Sequence, residues 1–522
     1  MDAVLLLQAT ASFVALVLFY SLWSSRTNNQ GDKKKTQAPK ANGAWPILGH
    51  LPLLGATGSA YRTLADMADK YGPVFRIQLG LQHALVVSSK EAVMQIFSTN
   101  DVNFITRPEA LASSAFYALA PYGPFWREMR KVSMFELLSN SRQELLKPVR
   151  ASEMTTCIRE LYSLCCKNGI VGSIKLDIGE WLEQVAINMI LQMIARKRFS
   201  SIGEGENETE SRIFKKAYED FFVSLRFFEM SKMIPFSEWM DLKRSQRARE
   251  RNAKEFDFIL SSWIDEHKQS TGKQGQLKQD PDFIDVMLSL FAESDGFVSG
   301  HKHNSDDVIK ATISGIIIAG ADAAFATLIW ALALLLKHKE MLLRAQQELD
   351  IHIGKERWVE ESDVKNLIYI QAIIKETLRL YPAAPLSVPR EALEDCIVEG
   401  YYVPKGTALY VNIWKLHRDS GSWTDPCEFQ PARFLTTHAG LDVRSQQFEF
   451  IPFSSGRRSC PGMAAGMHIM QLTLARLLQG FDLVTPTDEP IDMTEEAEGI
   501  TLLKKYPLEV VLTPRLPEKL YQ

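Results

Sequence analysis

The stretch Phe453-Ser-Ser-Gly-Arg-Arg-Ser-Cys-Pro-Gly462 decides how this chain is interpreted. It places Cys460 beside two arginines, behind a loop in which Gly456 permits a tight turn. Pro461 suits the first position of a helix, so we expect a helix to begin here with Cys460 as its N-cap. A helix N-terminus, nearby positive charge and a bound metal all lower the pKa of a cysteine. The pattern therefore permits a thiolate, although a lone cysteine in a Gly/Ser loop is more often a buried structural residue.

This stretch resembles Phe-x-x-Gly-x-Arg-x-Cys-x-Gly, the haem-binding signature of the cytochrome P450 superfamily, at every defined position. The resemblance implies haem b, iron protoporphyrin IX, with the Cys460 thiolate as the axial iron ligand that favours O–O cleavage. It also implies that Phe453, Gly456, Arg458 and Gly462 surround the cofactor.

Composition indicates a globular protein of 522 residues, 46% hydrophobic and 23% charged, without a low-complexity tract. The net charge of −4 gives no reason to expect nucleic acid as a partner. The six cysteines are few and irregularly spaced, so we expect reduced thiols in a cytosol-facing protein rather than a disulfide framework.

An uncharged apolar run over residues 3–23 is long enough to cross a bilayer as a helix. A cleaved signal peptide is the alternative, but no basic residue precedes the run and no clear small-residue cleavage site follows it. The basic residues after the run place the rest of the chain in the cytosol. We predict a transmembrane anchor over 1–23, a polar, proline-rich linker over 24–45 and a catalytic domain over 46–522, held at the endoplasmic reticulum by a single pass.

Hydrophobic periodicity predicts a mainly α (α+β) fold. Helical patterns cover 61–71 and most of 120–350, whereas 73–79 and 83–88 alternate as strands. A polar stretch from Lys268 to Pro281 predicts an internal loop, and the many Pro and Gly over 380–450 predict short strands and turns. The resemblance adds the cytochrome P450 fold, a helix-rich domain with a minor β portion behind an N-terminal single-pass membrane helix.

Glu376 and Arg379 lie at i and i+3 of a predicted helix, Leu367–Tyr381, and so share a face. Alone, such a pair is usually solvated. Here it resembles the family's Glu-x-x-Arg motif, and Arg433 lies in a segment resembling Pro-Glu-Arg-Phe, with Ala432 in place of the glutamate. The resemblance implies a buried structural triad in which bidentate guanidinium bonds fix the cysteine loop.

Trp126 and Arg130 match the family's Trp-x-x-x-Arg and share a helix face. The resemblance implies that both, with Arg390 and Arg458, bind the haem propionates; an amphipathic basic helix is the alternative for this segment alone. Three further basic residues would remain on the proximal surface, where an acidic NADPH–cytochrome P450 reductase can dock by charge complementarity: Arg127, Lys131 and Arg457.

A long apolar helix is predicted over Val308–His338, and it contains Ala319-Gly-Ala-Asp-Ala-Ala324. The family reads Ala/Gly-Gly-x-Asp/Glu-Thr at this site. The resemblance implies that Gly320 widens the helix beside the haem and that Asp322 helps to deliver the protons that cleave O–O.

Ala323 stands where the family has threonine, and its side chain cannot form a hydrogen bond. Thr327 lies one turn further on the same face, about 6 Å along the axis, which is too far for a direct substitute. In one interpretation, ordered water, with or without a substrate hydroxyl, completes the relay of an ordinary hydroxylation. In the other, the enzyme performs an atypical oxidation such as ring formation, dehydrogenation or rearrangement.

The family assembles its substrate pocket from separated segments, which here are 108–121, 220–235, 312–323, 384–389 and 497–502. Their bulky apolar side chains favour a mid-sized hydrophobic organic substrate. The predicted lining residues are Phe116, Tyr117, Phe222, Phe227, Ala319, Leu386 and Ile500.

The segments 43–51, 119–126 and 282–288 look like plant A-type cytochromes P450, closest to family 82. That branch acts on alkaloids, terpenoids and phenolics. We therefore predict a membrane-anchored haem-thiolate monooxygenase that uses O2 and takes electrons from NADPH through a reductase. A haem-thiolate isomerase or dehydratase without a reductase, and a non-enzymatic haem sensor, are the alternatives.

Overall fold

The computed structural model describes residues 36–56, 58–108, 117–166, 172–199, 213–218, 243–274, 281–293, 304–444, 447–496 and 500–522. The predicted anchor over 1–23 lies outside these residues, as do Phe116, Phe222 and Phe227 of the predicted pocket.

Helices make up most of the described chain, as the periodicity predicted. In chain order they are α1 Leu51–Ala56, α2 Ala60–Tyr71, α3 Lys90–Met94, α4 Pro124–Ser133, α5 Asn140–Leu145, α6 Lys147–Cys165, α7 Ile178–Ala195, α8 213–218, α9 Lys243–Gln274, α10 Phe283–Glu293, α11 Ser305–Lys337, α12 Lys339–His352, α13 Ile368–Leu380, α14 Ile413–Leu416 and α15 Met463–Gly480. Single π-helical turns extend α3 and α4, at Gln95–Thr99 and Met134–Leu138.

The strands form three small sheets. They are β1 Val74–Leu79, β2 Gln82–Val87, β3 Ile174–Asp177, β4 Arg390–Glu391, β5 Cys396–Val398, β6 Tyr401–Val403, β7 Ala408–Val411, β8 Phe481–Val484 and β9 Glu509–Pro514. The largest sheet has the order β1-β2-β7-β4, in which only the β2–β7 pair is parallel. The other sheets are β3-β9-β8 and β5-β6, all antiparallel.

Both faces of the four-stranded sheet are buried, because alternate side chains along a strand point to opposite faces. In β2, Leu85 and Val87 join one apolar cluster, and Ala84 and Val86 join another. The sheet is therefore a two-sided platform, and its edge strand β4 carries Arg390 towards the cysteine loop.

The long helix α11 is the centre of the helical core and packs on α7, α13 and α15. In the described part of the chain it is the one helix long and apolar enough to cross a membrane, but 67% of its most apolar window is buried inside the protein. Its apolar composition is therefore explained by packing.

Two local predictions differ from the structure. First, the helix after the cysteine begins at Met463 with Gly462 as N-cap, so Cys460 is not the cap. The Cys460 N–H instead bonds to the carbonyl of Phe453, at 2.9 Å, which keeps the residue in the preceding loop.

Second, the loop predicted from Lys268 is helical as far as Gln274. The Lys268 ammonium lies 2.6 Å from a carboxylate oxygen of Asp306, so contacts with the start of α11 support this turn of the helix despite Gly272.

The described part of the predicted linker packs against the domain. Ala38 is buried, and Lys40 forms a backbone bridge with Arg76 of β1. The Arg76 side chain also donates to the Ala38 carbonyl at 2.8 Å. These contacts tie residues 38–41 to the large sheet.

Candidate active site

The cysteine loop is closed by its own backbone. Besides the Cys460–Phe453 bond, the Ser459 N–H donates to the Gly456 carbonyl at 3.0 Å. Gly456 has φ +71°, and a Cβ at this position would overlap the carboxylate of Asp101. Glycine is required here for both reasons, because other residues rarely adopt this φ and no side chain fits against Asp101.

Asp101 holds the loop from outside, and sequence reasoning missed it. Both of its carboxylate oxygens accept the Arg457 backbone N–H, at 3.2 Å. One of them also lies 3.7 Å from Nη1 of Arg390. A single aspartate far away in the sequence gives no local pattern from which this contact could be predicted.

The Cys460 side chain is accessible to solvent. Protein atoms nevertheless surround its thiol closely. Burial raises the pKa of its thiol, while the Gly462 backbone N–H and the positive charge of Arg130 act in the opposite direction. Since burial prevails, a persistent thiolate at this position needs a further positive partner, such as a metal ion.

Three buried or half-buried arginines surround this cysteine. Arg130 donates to the Ser459 carbonyl at 2.8 Å, and Arg390 donates to the Ser455 carbonyl at 2.7 Å. Arg458 donates to backbone carbonyls of the segment that precedes α4, including that of Ile105 at 2.7 Å.

The arginines disfavour one another's charge. Burial, together with the charges of Arg390 and Arg130, lowers the pKa of Arg458 to about 9. Burial and the charge of Arg130 likewise bring the pKa of Arg390 to about 10, although Asp101 opposes the shift. Nη1 of Arg390 is buried without a hydrogen-bond partner among the described residues. Such a cluster fits an anionic group with two negative charges, as two propionates provide.

Trp126 lies within the same cluster. Its ring packs beneath the Arg458 guanidinium, whose central carbon is 4.3 Å from the ring centroid. The structure thus brings together the four residues predicted to hold the propionates: Trp126, Arg130, Arg390 and Arg458.

The predicted triad is assembled and buried. Arg379 makes a bidentate pair with Glu376, with both N···O distances at 2.8 Å, and Nε of Arg433 lies 3.0 Å from the same carboxylate. The guanidinium groups also donate to backbone carbonyls of the 417–428 segment. Every charge therefore has a partner, which a buried ionic cluster requires.

His417 links this triad to the cysteine loop, and sequence reasoning missed it. Its backbone carbonyl accepts from Arg379 at 2.8 Å, and its Nε2 accepts the Ile451 N–H at 3.0 Å. Because Nε2 is an acceptor, the proton of the neutral ring lies on Nδ1, which faces the Arg379 carbonyl. Burial, followed by the charge of Arg379, lowers the pKa of His417 to about 3. The ring is therefore neutral at physiological pH.

On the distal side, one face of α11 is open in an otherwise buried helix. Ala319 is exposed, and Gly320, Asp322 and Ala323 are half-buried. The helix is continuous through Gly320, where an added Cβ would lie 3.1 Å from Ile190 of α7. Glycine at this position therefore permits close packing of two helices. The widening implied for Gly320 stays a prediction.

Thr327 does not replace the missing threonine. Its buried hydroxyl donates to the Ala323 carbonyl at 2.9 Å, within its own helix. Neither position therefore supplies a free side-chain hydroxyl, and among the described residues of α11 the open face next to Ala323 carries the carboxylate of Asp322.

The other described residues that were predicted to line the pocket, Tyr117, Leu386 and Ile500, lie in different parts of the fold. Tyr117 is buried in the main core, where burial raises the pKa of its phenol and the nearby Arg130 lowers it. Leu386 is half-buried against the apolar cluster on one face of the large sheet. Ile500 is half-buried at the start of the last described segment.

A family model for cytochrome P450 matches residues 39–511. The chain belongs to the cytochrome P450 family. Among curated relatives, it is 46% identical to a xanthotoxin 5-hydroxylase of Arabidopsis thaliana over 94% of the chain and 95% of the relative. It is 44% identical to the strychnine-10-hydroxylase of Strychnos nux-vomica, over 97% and 96%. It is 42% identical to a nicotine N-demethylase of Nicotiana tomentosiformis, over 97% of each.

Membership confirms the fold class, the plant family 82 resemblance and the enzyme class, a haem-thiolate monooxygenase. Family members bind haem through a cysteine thiolate and receive electrons from a redox partner. When bound, the haem iron supplies oxygen activation that no side chain can provide. The accessible Cys460 thiol and the buried arginines fit this group: Cys460 would bind the iron, and the guanidinium groups would bind the propionates.

Proposed function

We propose that this cytochrome P450 oxidises a mid-sized hydrophobic plant specialised metabolite, an alkaloid, terpenoid or phenolic, by inserting one atom of O2. The Cys460 loop with its cluster of buried arginines carries the cofactor assignment. The substrate class rests on the relatives, whose names include hydroxylases of xanthotoxin, strychnine and flavonoids, and on the apolar segments predicted to line the pocket.

In this proposal each residue of the proximal side has one task. Cys460 is the axial ligand, and Gly462 directs its N–H towards the sulfur. Phe453 and Gly456 fix the loop, through the backbone bond to Cys460 and through the close approach of Asp101. Trp126, Arg130, Arg390 and Arg458 bind the propionates.

On the distal side, Asp322 takes part in proton delivery and Ala323 leaves the relay without a hydroxyl. Ordered water, with or without a polar group of the substrate, completes it. The continuity of α11 and the internal hydrogen bond of Thr327 support this arrangement, since the helix offers no second hydroxyl near Ala323.

The proposal is tested with microsomes that contain the full chain and a plant reductase. They are incubated separately with xanthotoxin, strychnine, a flavone, protopine and nicotine. We expect an NADPH- and O2-dependent product that carries one added oxygen from at least one substrate or a close analogue. Turnover without NADPH or O2 would instead identify an isomerase or dehydratase, and haem binding without any turnover would favour a sensor.

NADPH–cytochrome P450 reductase is the proposed electron donor. Arg127, Lys131 and Arg457 are exposed, so this side of the molecule presents positive charge to an acidic partner. In Lys131→Glu we expect slower reduction at low salt and a weaker dependence of the rate on salt. Lys405→Glu is the matched control, an exposed charge reversal in the turn between β6 and β7. Equal salt dependence in both variants and the native protein would remove the docking proposal.

The proposed location is the endoplasmic reticulum membrane, with the catalytic domain in the cytosol. The apolar run over 3–23 and the basic residues behind it support a single-pass anchor. Two large apolar side chains are exposed close to where the described chain begins, Trp45 in the first turn and Leu81 between β1 and β2. Carbonate extraction of native protein and of a variant lacking residues 1–23 tests the anchor, since only the native protein should stay in the membrane pellet.

A further inference from the structure

A backbone hydrogen bond connects one predicted pocket segment to the residue that precedes another. The Leu502 N–H, from the 497–502 segment, donates to the carbonyl of Ala383, the residue before the 384–389 segment, at 2.9 Å. Leu502 is fully buried, so its carbonyl also needs a partner. That partner is Nε1 of Trp330, at 2.9 Å.

Trp330 is itself held rigidly in α11. It is fully buried, and its ring stacks on Tyr381 with centroids 4.0 Å apart and planes 13° apart. Tyr381 directly follows α13, the helix that carries Glu376 and Arg379 of the triad. Trp330 therefore connects α13 to Leu502, because it stacks on Tyr381 and donates a hydrogen bond to the Leu502 carbonyl.

The described residues 494–496 and 503–505 pair with each other, and we call residues 494–496 and 500–505 the two legs of a hairpin. The first of these legs is tied to α2. The Glu495 carboxylate accepts a hydrogen bond from Nε of Arg62 at 2.7 Å and another from the Tyr61 hydroxyl. Between the two ties the hairpin legs pair through Glu496 N–H to Leu503 carbonyl, at 2.8 Å. The hairpin that carries Ile500 is thus fixed at two points, by Trp330 and by Glu495.

Trp330 also lies on the functional side of α11. It follows Ala323 by about two helical turns, and residues at that spacing share a face. One face of this helix therefore carries both the gap in the proton relay and the donor that fixes Leu502.

We propose that Trp330 is a positioning residue that sets substrate selectivity, by holding Leu502 and with it the segment around Ile500 against the segment that begins at Ala383. This inference rests on the proposed function, because it assumes that both segments line the substrate pocket. Trp330 acts through the backbone of Leu502 and does not contact the reacting atoms.

The test compares two iron-binding azoles of different size in the haem-loaded full chain: imidazole, a single small ring, and clotrimazole, which carries three further aromatic rings. Trp330→Phe keeps an aromatic ring for Tyr381 but removes the N–H donor. We expect the dissociation constant for clotrimazole to rise about threefold to tenfold, the equivalent of one lost hydrogen bond, with that for imidazole unchanged.

Trp263→Phe is the matched control. Trp263 is also fully buried, but its Nε1 has no hydrogen-bond partner among the described residues, so this variant loses similar packing and no hydrogen bond. Its ratio of the two dissociation constants should equal that of the native protein. Equal ratios in the native, Trp330→Phe and Trp263→Phe proteins would overturn the inference.

Glu495→Gln provides a second variant, which leaves α11 unchanged: the Glu495 side chain is only 6% exposed, but glutamine keeps its size and one acceptor oxygen for Arg62. It weakens the other tie of the hairpin, so we expect a smaller rise in the clotrimazole constant and faster amide exchange over 500–505. An unchanged azole ratio and unchanged exchange would contradict the inference even if Trp330→Phe did not fold. If the native protein bound no imidazole, the proposed haem function itself would fail, which is a separate outcome.

Discussion

The proximal and distal sides of this molecule use polar groups in opposite ways. Around Cys460, charged and backbone groups hold one another in place, from Asp101 at the loop to His417 behind it. Around Ala323, the helix offers one carboxylate, from Asp322, and its nearest hydroxyl is used within the helix. In the proposed function, the scaffold therefore determines the cofactor site, whereas water and substrate complete the proton relay.

Removing the triad charge should have the largest effect on the proximal side. In Glu376→Gln two buried guanidinium groups lose their counter-charge, and breaking a buried pair in this way costs about 3–5 kcal/mol. We expect a large fall in the thermal midpoint and little haem-loaded protein, measured by thermal unfolding and by haem absorbance.

Glu356→Gln is the control for this change, because its ion pair with Lys519 is exposed, with 77% and 65% of the side chains accessible. It should behave like the native protein. Normal haem content in Glu376→Gln would show that the triad does not support the cysteine loop.

Two variants of His417 test whether the triad stabilises the cysteine loop through this residue. His417→Leu leaves the Ile451 N–H buried without an acceptor, at a cost of about 1–3 kcal/mol. His417→Gln keeps an acceptor and should recover most of the stability. We expect the Soret band of the reduced, CO-bound protein to shift in His417→Leu and to return in His417→Gln. An unshifted band in both variants would break the proposed link.

The same residue makes stability depend on pH in a defined direction. The pKa of His417 is about 3 in the folded protein, and an unfolded histidine has a pKa of about 6.5. The unfolded state therefore binds more protons between these values, so the contribution of this residue falls by about 1.4 kcal/mol per pH unit as the pH drops below about 6.5. Chemical unfolding from pH 7.5 to 5 should show a shallower decline in His417→Gln than in the native protein.

Substitution of Gly456 should have the smallest of these effects on stability. It distinguishes backbone strain from steric overlap with Asp101. Gly456→Ala adds strain from φ +71° and a clash with Asp101. Gly406→Ala adds only strain, because φ there is +77° and no atom lies within 4 Å of the added Cβ. We expect Gly406→Ala to lose about 1 kcal/mol and Gly456→Ala to lose more, together with haem affinity. Equal losses by urea unfolding would remove the role assigned to Asp101.

The comparison also explains what could be predicted from the sequence. The cysteine loop, the Glu376 triad and the cluster of Trp126 with the three arginines were predicted from family motifs. The structure brings the members of each together. The mainly α (α+β) class was likewise predictable, because α13 carries clear periodicity, α11 is a long apolar run and the side chains of β2 alternate between two buried faces.

Other features depend on contacts between distant residues. Asp101 and His417 meet the cysteine loop only after the sheet and the 417–428 segment have packed, so neither has a local signature. The helix start at Met463 was missed because the Cys460 N–H bonds back to Phe453. The last turns of α9 lie beside the start of α11, where Lys268 pairs with Asp306, and this contact between distant residues has no local signature.

The most direct test of the contrast between the two sides is the amount of product formed per NADPH consumed, in the native protein and in Ala323→Thr. The account predicts that threonine restores a hydroxyl to the relay, so the yield per NADPH rises and the product stays the same. A changed product, or a yield that falls, would contradict it, because the alanine would then determine an atypical oxidation rather than leave a gap that water fills.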